Sequence, residues 1–166
     1  RGSRWHRQRD DRPGRVRDMI HVERPELLAD HVKAVVMSPT QIIVDDAMID
    51  AFTEMSRDPQ WIHSSAAEPR IVPGNLLIAL VPRLLRECVV VDRYSRCLTV
   101  KYENIRFKKP VVSGDTLGLA ATMVDVRTRF GATFVTVSIN LINQANGDEV
   151  VQAVVTDCYE TEELGT

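Results

Sequence analysis

An acid and an imidazole lie close together in the segment SRDPQWIHSSAA, residues 56–67. Asp58 and His63 are five positions apart, with a proline and a tryptophan between them. Histidine titrates near neutral pH, and a carboxylate can orient it or share a water with it, so the pair is suited to acid–base catalysis. The structural alternative is that Asp58 caps a turn and His63 is a satisfied, half-buried side chain. The spacing alone leaves both interpretations open.

A second candidate group is the backbone N–H of Gly74 in the segment IVPGN. The glycine opens an apolar stretch that is typical of a buried helix. The first N–H groups of a helix have no intrahelical partner and lie at the positive end of its dipole. A developing oxyanion would be stabilised there. The alternative is a plain tight turn.

Motifs for several other chemistries are missing from the sequence. It contains no GxGxxG, no GxxxxGK[ST] and no GxSxG, so nothing supports nucleotide binding or a serine nucleophile of the elbow type. The four histidines do not cluster with other ligands at metal spacing. Basic segments with interleaved aromatic residues are also missing. We therefore expect no cofactor, no metal and no nucleic-acid partner.

The composition is that of one globular domain. The chain has 166 residues, of which 44% are hydrophobic and 27% charged, and its net charge of −2 gives no case for a polyanionic partner or a membrane surface. No apolar run is long enough to span a bilayer. Cys88, Cys97 and Cys158 are widely spaced, which favours free thiols in a reducing compartment. We expect a cytoplasmic protein.

The first 18 residues differ from the rest. They carry seven arginines within the first 17 positions and precede Met19. Two interpretations stay open: a vector-derived or upstream-frame remnant, or a native basic arm that could meet an acidic carrier protein or a polyanion. The domain itself is expected over residues 19–166.

Two helices are predicted in the first half of the domain. Asp45 is a suitable N-cap for an amphipathic helix over residues 46–56, which Pro59 ends. The segment PGNLLIALVPRLLREC is apolar nearly all round, which predicts a helix from 73 or 74 to about 87 that is buried on most sides. Pro82 within it should kink the helix or cost a hydrogen bond.

The second half of the domain shows β periodicity. RCLTVKYENIRFKKPV reads as one long strand, or as a strand with a bulge near Glu103 and Asn104. A second strand follows in TLGLAATMVDVRTR, a third alternates cleanly in TFVTVSINLIN, and Asn146-Gly147 predicts a hairpin into EVVQAVVTDCYE. An antiparallel sheet with one apolar face would wrap around the apolar helix, which is an α+β layer arrangement.

Three segments in this order carry a family resemblance: FTEMSRDPQWIHSSAA, IVPGNLLIALVPRLL and YENIRFKKPVVSGDTL. Together they resemble the MaoC-like dehydratase family, which includes the (R)-specific enoyl-CoA hydratases, over residues from about 41 to 160. The resemblance implies a single hotdog fold, in which a long central helix is wrapped by a curved antiparallel sheet, and a homodimer or higher oligomer. Fatty-acid-synthesis dehydratases, a second hotdog class, carry an acid within the helix after their proline-glycine. NLLIALVPRLL has none.

The resemblance also implies roles for residues. Asp58 and His63 correspond to the family's catalytic pair and Gly74 to its oxyanion donor. Arg57 replaces the glycine of the family's usual SGD, and Pro73 stands where a histidine often precedes the helix glycine; Pro82 takes the place of a helix serine that supports the site in some hydratases. The expected substrate-binding residues are Trp61, Pro73, Asn75, Leu76 and Phe52, and Leu77 and Leu80 would join Leu76 and Phe52 at the end of an acyl tunnel.

The implied reaction is reversible addition of water to a trans-2-enoyl thioester of CoA or acyl-carrier protein. No metal or redox cofactor takes part in it. A hotdog acyl-thioesterase that uses the same helix end is an alternative enzyme. A non-catalytic hotdog subunit that binds acyl groups is an alternative of another class, although such a chain would typically have lost one member of the Asp58–His63 pair.

Overall fold

The computed structural model of the chain describes residues 16–17 and 19–161. Its longer elements are the helices α1 (Asp46–Ser56) and α2 (Gly74–Cys88) and the strands β6 (Arg96–Phe107), β7 (Thr116–Arg129), β8 (Ala132–Asn143) and β9 (Glu149–Glu160). Five short strands precede β6: β1 (Val16–Arg17), β2 (Ile20–Val22), β3 (Val35–Met37), β4 (Ile42–Ile43) and β5 (Val89–Val91). Two 3₁₀ helices cover Pro25–His31 and Trp61–His63.

The four long strands form the centre of a mainly antiparallel sheet. The order of the sheet is β1-β3-β7-β8-β9-β6, and β4 pairs with the same strand β7 as β3 does. A separate two-stranded parallel sheet joins β2 to β5, which follows directly after α2. Most of the predicted basic arm lies outside the described residues, but its Val16 and Arg17 form β1 and pair in parallel with β3.

The sheet buries one face against α2. Along β8, Val135, Val137, Ile139 and Leu141 are each no more than 4% exposed and alternate with half-buried polar residues, as the sequence predicts. They join one hydrophobic core with the apolar side of α2. The predicted α+β arrangement, with a central helix against an antiparallel sheet, is therefore confirmed.

Both predicted helices are present. The Asp45 carboxylate accepts the Met48 N–H at 2.9 Å and caps α1, and α2 contains Pro82 without ending there. The prediction that α2 is apolar nearly all round is correct only for its inner side. Four residues form an exposed stripe on the helix, because their spacing of three or four places them on one side: Asn75, Ala79, Arg83 and Arg86.

The strand β6 contains irregularities, as one of the two sequence interpretations proposes. Its pairing with β9 shifts register between Thr99 and Lys101 and again between Glu103 and Arg106. Asn104 has a φ of 53° in the second shift, a conformation that asparagine tolerates better than most residues. The hairpin between β8 and β9 is also present, with Gly147 at a φ of 75°. Among the described residues, no helix is both long enough and apolar enough to cross a membrane.

Candidate active site

The loop that carries Asp58 begins where α1 ends. Arg57 is the C-cap of α1 and adopts a left-handed conformation with φ 53° and ψ 38°. This conformation usually selects glycine at a helix end, so the arginine here occupies a backbone geometry in which glycine is the commoner residue. Directly after it, the Oδ1 atom of Asp58 accepts the backbone N–H of Gln60 at 3.2 Å. That turn leaves the second carboxylate oxygen of Asp58 free of this bond.

His63 is the last residue of the second 3₁₀ helix and its residue surface is only 7% exposed. Its Nδ1 lies 2.7 Å from the carbonyl oxygen of Ile71. A carbonyl oxygen can only accept, so Nδ1 carries the proton and donates it in this bond. In the neutral ring Nε2 is then unprotonated and available as a base. The fold therefore selects one tautomer of His63.

The structure brings the predicted pair together. His63 Nε2 lies 3.9 Å from Asp58 Oδ2, which is too long for a direct hydrogen bond. A polar contact of this length is one that a water can bridge, since an oxygen about 2.8 Å from each atom fits across the gap. The pair combines a buried imidazole with a carboxylate whose side chain is 30% exposed.

Gly74 is the first residue of α2, and Pro73 is its N-cap. The Pro73 carbonyl accepts the N–H groups of Leu76 and Leu77 at 3.0 and 3.3 Å, while no acceptor within the described residues bonds the Gly74 N–H. Gly74 is three residues beyond Ile71, whose carbonyl bonds the His63 ring, so the Cα atoms of Ile71 and Gly74 are at most about 11 Å apart. The helix end and the acid–base pair therefore belong to one region.

Phe107, the last residue of β6, packs against this helix end. A Cβ built on Gly74 would lie 2.9 Å from Phe107 Cε1, so a side chain there would displace the ring. Phe107 is itself 51% exposed. Sequence reasoning did not identify Phe107 as part of the site, although the residue lies in the RFKKP segment that carries the family resemblance.

The predicted substrate-binding residues differ in their environments. Pro73 is buried and Leu76 is only 6% exposed, whereas Asn75 is exposed and Trp61 is 75% exposed. Phe52 is partly buried and packs against the core. Leu77 and Leu80 belong to the same core as Leu76. A shallow cleft of about 530 Å³ is lined by Asp50, Thr53, Glu54, Arg57, Asp58 and Pro59.

Arg70 is a second residue that sequence reasoning missed. It is 8% exposed and its Nε donates to the backbone carbonyl of His63 at 2.8 Å. Its two terminal nitrogens donate to Asp46 Oδ1 at 3.0 Å and to Asp50 Oδ1 at 2.5 Å. The hydrogen bond from Ser113, and to a smaller extent the one from Arg70, hold the pKa of the Asp46 carboxyl below its usual value. In the part of the chain that the structure describes, no group of three His, Cys, Asp or Glu residues is arranged to hold a metal ion.

Comparisons with known proteins agree with this architecture. The family model described as "MaoC like domain" matches residues 28–145. No curated protein matches the sequence. Among solved structures, the chain is similar to the MaoC-like dehydratase from Rhodospirillum rubrum, with 21% identity, a TM-score of 0.64, and coverage of 80% of this chain and 94% of that one.

Two other solved structures are similar to the same extent. The (R)-hydratase PhaJ1 from Pseudomonas aeruginosa has 20% identity, a TM-score of 0.63, and coverage of 81% of this chain and 88% of that one. The HadBC 3R-hydroxyacyl-ACP dehydratase complex from Mycobacterium tuberculosis has 20% identity, a TM-score of 0.62, and coverage of 77% and 96%. These likenesses show a shared hotdog fold, and the family match spans more than half of the sequence: the chain belongs to the MaoC-like domain family.

Proposed function

We propose that the protein is a hydro-lyase that reversibly adds water to trans-2-enoyl thioesters and gives 3-hydroxyacyl thioesters. One observation carries the proposal: His63 Nε2, unprotonated in the neutral ring, lies 3.9 Å from Asp58 Oδ2 in a chain of this family. The solved neighbours include an (R)-hydratase and a 3R-hydroxyacyl-ACP dehydratase, whose named activities are consistent with this chemistry.

The proposed mechanism uses the pair to hold and deprotonate one water. The water oxygen attacks C3 of the enoyl group, and the proton that it loses passes to the Asp58–His63 pair. The π electrons of the C2–C3 bond move toward the thioester carbonyl, and the enolate-like oxygen accepts the Gly74 N–H. The pair then returns a proton to C2, so hydroxyl and hydrogen are added without any co-reactant. Dehydration is the same sequence in reverse.

The substrate would approach the helix end beside Phe107. The expected contacts for the thioester and the first acyl carbons are Pro73, Asn75 and Trp61, with Phe52 and Leu76 beneath them. The acyl group would be carried by CoA or by an acyl-carrier protein. We further infer a homodimer and a cytoplasmic location; Cys88, Cys97 and Cys158 all have free thiols, which fits a reducing compartment.

The test is hydration of crotonyl-CoA and of longer enoyl-CoA and enoyl-carrier substrates by the purified protein. Asp58→Asn and His63→Ala should each lower kcat/KM by about 10²-fold or more, since general acid–base groups contribute about 10² to 10⁴. Circular dichroism should show that both variants keep the fold. Near-normal rates in both variants would contradict the proposal. Release of free thiol from saturated acyl-CoA without hydration would indicate a thioesterase, and binding without turnover would indicate an acyl-binding subunit.

The chain offers a matched control pair. His21 Nε2 lies 2.7 Å from Asp92 Oδ1, and both side chains are about half exposed. His21→Ala and Asp92→Asn remove the same two residue types from β2 and from the position directly after β5. Both variants should keep the wild-type rate, which separates loss of the proposed pair from loss of an exposed ion pair.

A further inference from the structure

Arg70 is a buried cation in a loop that contributes no proposed catalytic group. Its side chain is 7% exposed, and arginine is rarely buried to this degree unless it is paired. It lies next to Ile71, whose carbonyl accepts from the His63 ring. Arg70 itself donates to the His63 backbone carbonyl. Residues 70 and 71 therefore hold His63 at two points, one on its ring and one on its backbone.

The other end of the guanidinium connects this loop to α1. Asp46 and Asp50 lie one turn apart on that helix and accept from separate nitrogens of Arg70. Ser113 Oγ donates to the same Asp46 oxygen at 2.7 Å, which connects the turn before β7 to the cluster. We call the four residues Arg70, Asp46, Asp50 and Ser113 the arginine cluster.

The arginine cluster spans the two segments that carry the proposed pair. Asp58 lies just past the C-terminal end of α1, whereas His63 is on the following 3₁₀ helix. A shift of the His63 backbone relative to α1 would change the distance between Nε2 and the carboxylate. The planar guanidinium donates in fixed directions, so its three partners define one position of His63 relative to α1.

We propose that Arg70 is a positioning residue: it fixes the orientation of His63 toward Asp58 and, through its neighbour Ile71, holds in place the carbonyl that sets the tautomer of the ring. This inference rests on the proposed hydration activity for its kinetic test, but it also makes a structural claim that is independent of turnover. Arg70 acts only through His63 and has no contact with substrate in this mechanism. A merely structural role would lower stability without a specific effect on the His63 ring.

Two substitutions separate positioning from stability. Arg70→Lys keeps a buried cation that can pair with one carboxylate, but it lacks the planar set of donors needed to reach His63 and both acids together. Arg70→Gln removes the charge as well. We expect kcat to fall about 10- to 100-fold in both variants, as for a misplacement of about 1 Å, with KM changed less than about 3-fold. Arg70→Lys should be the more stable of the two because its charge remains paired.

A kcat that followed stability, with Arg70→Lys recovering the wild-type rate, would overturn the positioning role. The matched control is Arg96→Gln. Arg96 also donates twice to a carboxylate, that of Glu160, at 2.7 and 3.0 Å, but it lies at the start of β6. Arg96→Gln should leave kcat unchanged, so a fall there as large as in Arg70→Gln would also count against the proposal.

The second measurement is the ¹⁵N NMR spectrum of the neutral His63 ring. The wild type should show a protonated Nδ1 and an unprotonated Nε2, and Arg70→Lys should show averaging of the two tautomers. An unchanged ring spectrum in a folded Arg70→Lys would refute the inference even if the wild type proved inactive as a hydratase. Asp50→Asn, at a position whose side chain is 65% exposed, is expected to fold whether or not Arg70→Gln does. It should show a partial change of the same kind.

Discussion

His21 and His63 each face an aspartate, and the burial of the two pairs differs more than their N–O distances do. His21 makes the shorter contact with its acid, at 2.7 Å, but both side chains are about half exposed. Exposed pairs of this kind contribute little to stability and are screened by salt. His63 is buried, and its Nδ1 is bonded to a carbonyl. Burial and a fixed tautomer, rather than proximity to a carboxylate, distinguish the proposed catalytic histidine.

Gly74→Ala tests the helix end directly. The added Cβ would lie 2.9 Å from Phe107 Cε1, but the ring is half exposed and can move outward. We expect stability to change by less than about 1 kcal/mol, because alanine has the higher helix propensity. Hydration should fall roughly 10-fold, because the methyl group and the displaced ring would crowd the approach to the Gly74 N–H. Steady-state kinetics with crotonyl-CoA and urea unfolding measure the two effects.

A second substitution identifies the cause of this loss. Phe107→Leu in the Gly74→Ala background removes the crowding ring and should recover part of the rate, while Phe107→Leu alone provides the reference. Full activity of Gly74→Ala would show that the reaction does not use this approach to the helix end.

The sequence could predict the pair but not the groups that orient it. Asp58 and His63 are near neighbours in the chain, so a short loop was enough to suggest their contact. Arg70 lies 20 residues from Asp50 and 24 from Asp46, and no local pattern identifies a buried arginine as their partner. The left-handed backbone of Arg57 was also missed, because arginine carries no signal for a conformation that usually selects glycine.

At the scale of elements, the helices and strands that were predicted from the sequence are those long enough for their hydrophobic period to repeat. The helices α1 and α2 and the strand β8 are 11 to 15 residues long, enough for a period of 3.6 or 2 to be recognised. The strands β1 to β5 contain only two or three residues each, which is too few to show a period. The parallel pairing of β2 with β5 depends on tertiary contacts and has no local signature.

The pairing of β9 with β6 buries a carboxyl group, and its effect on the free energy of unfolding should depend on pH. Asp157 faces Thr99 across the two strands, and its Oδ1 is buried with no hydrogen-bond partner among the described residues. Burial raises the pKa of this carboxyl above the ordinary aspartate value of 3.8. A raised folded pKa means that the fold favours the protonated form, so this contribution to stability is present below pH 3.8 and is lost as pH rises through the folded pKa.

Asp157→Asn should therefore stabilise the protein at neutral pH. We expect a gain of about 1 kcal/mol at pH 7, comparable to the cost of one unsatisfied buried polar group, which shrinks toward pH 4. Thermal unfolding between these pH values measures it. Asp125→Asn is the control, because that side chain is 41% exposed and paired with Arg127. A gain independent of pH, or one that grew on acidification, would contradict the assignment.

At the scale of the whole molecule, β6 is an exposed edge strand of the sheet that could pair with another chain. It is 12 residues long, pairs with β9 alone among the described strands, and most of its residues are exposed. Four exposed hydrophobic residues lie along it: Leu98, Val100, Ile105 and Phe107. Long apolar edge strands pair with other chains unless they are protected. A second copy of this chain, joined along β6, would cover these residues and bring the interface next to the Phe107–Gly74 contact.

Val100→Lys tests this arrangement against a closely matched control. Val100 is 51% exposed at the first register shift of β6, and Val124 is 48% exposed at the register shift of β7. The wild type and Val124→Lys should both be dimers by light scattering, while Val100→Lys should be a folded monomer because each copy would bring a charged lysine into the proposed interface. Activity should fall when the dimer is lost, since β6 ends at the ring beside Gly74. A dimeric Val100→Lys would show that the interface lies elsewhere. A monomeric wild type would rule the dimer out.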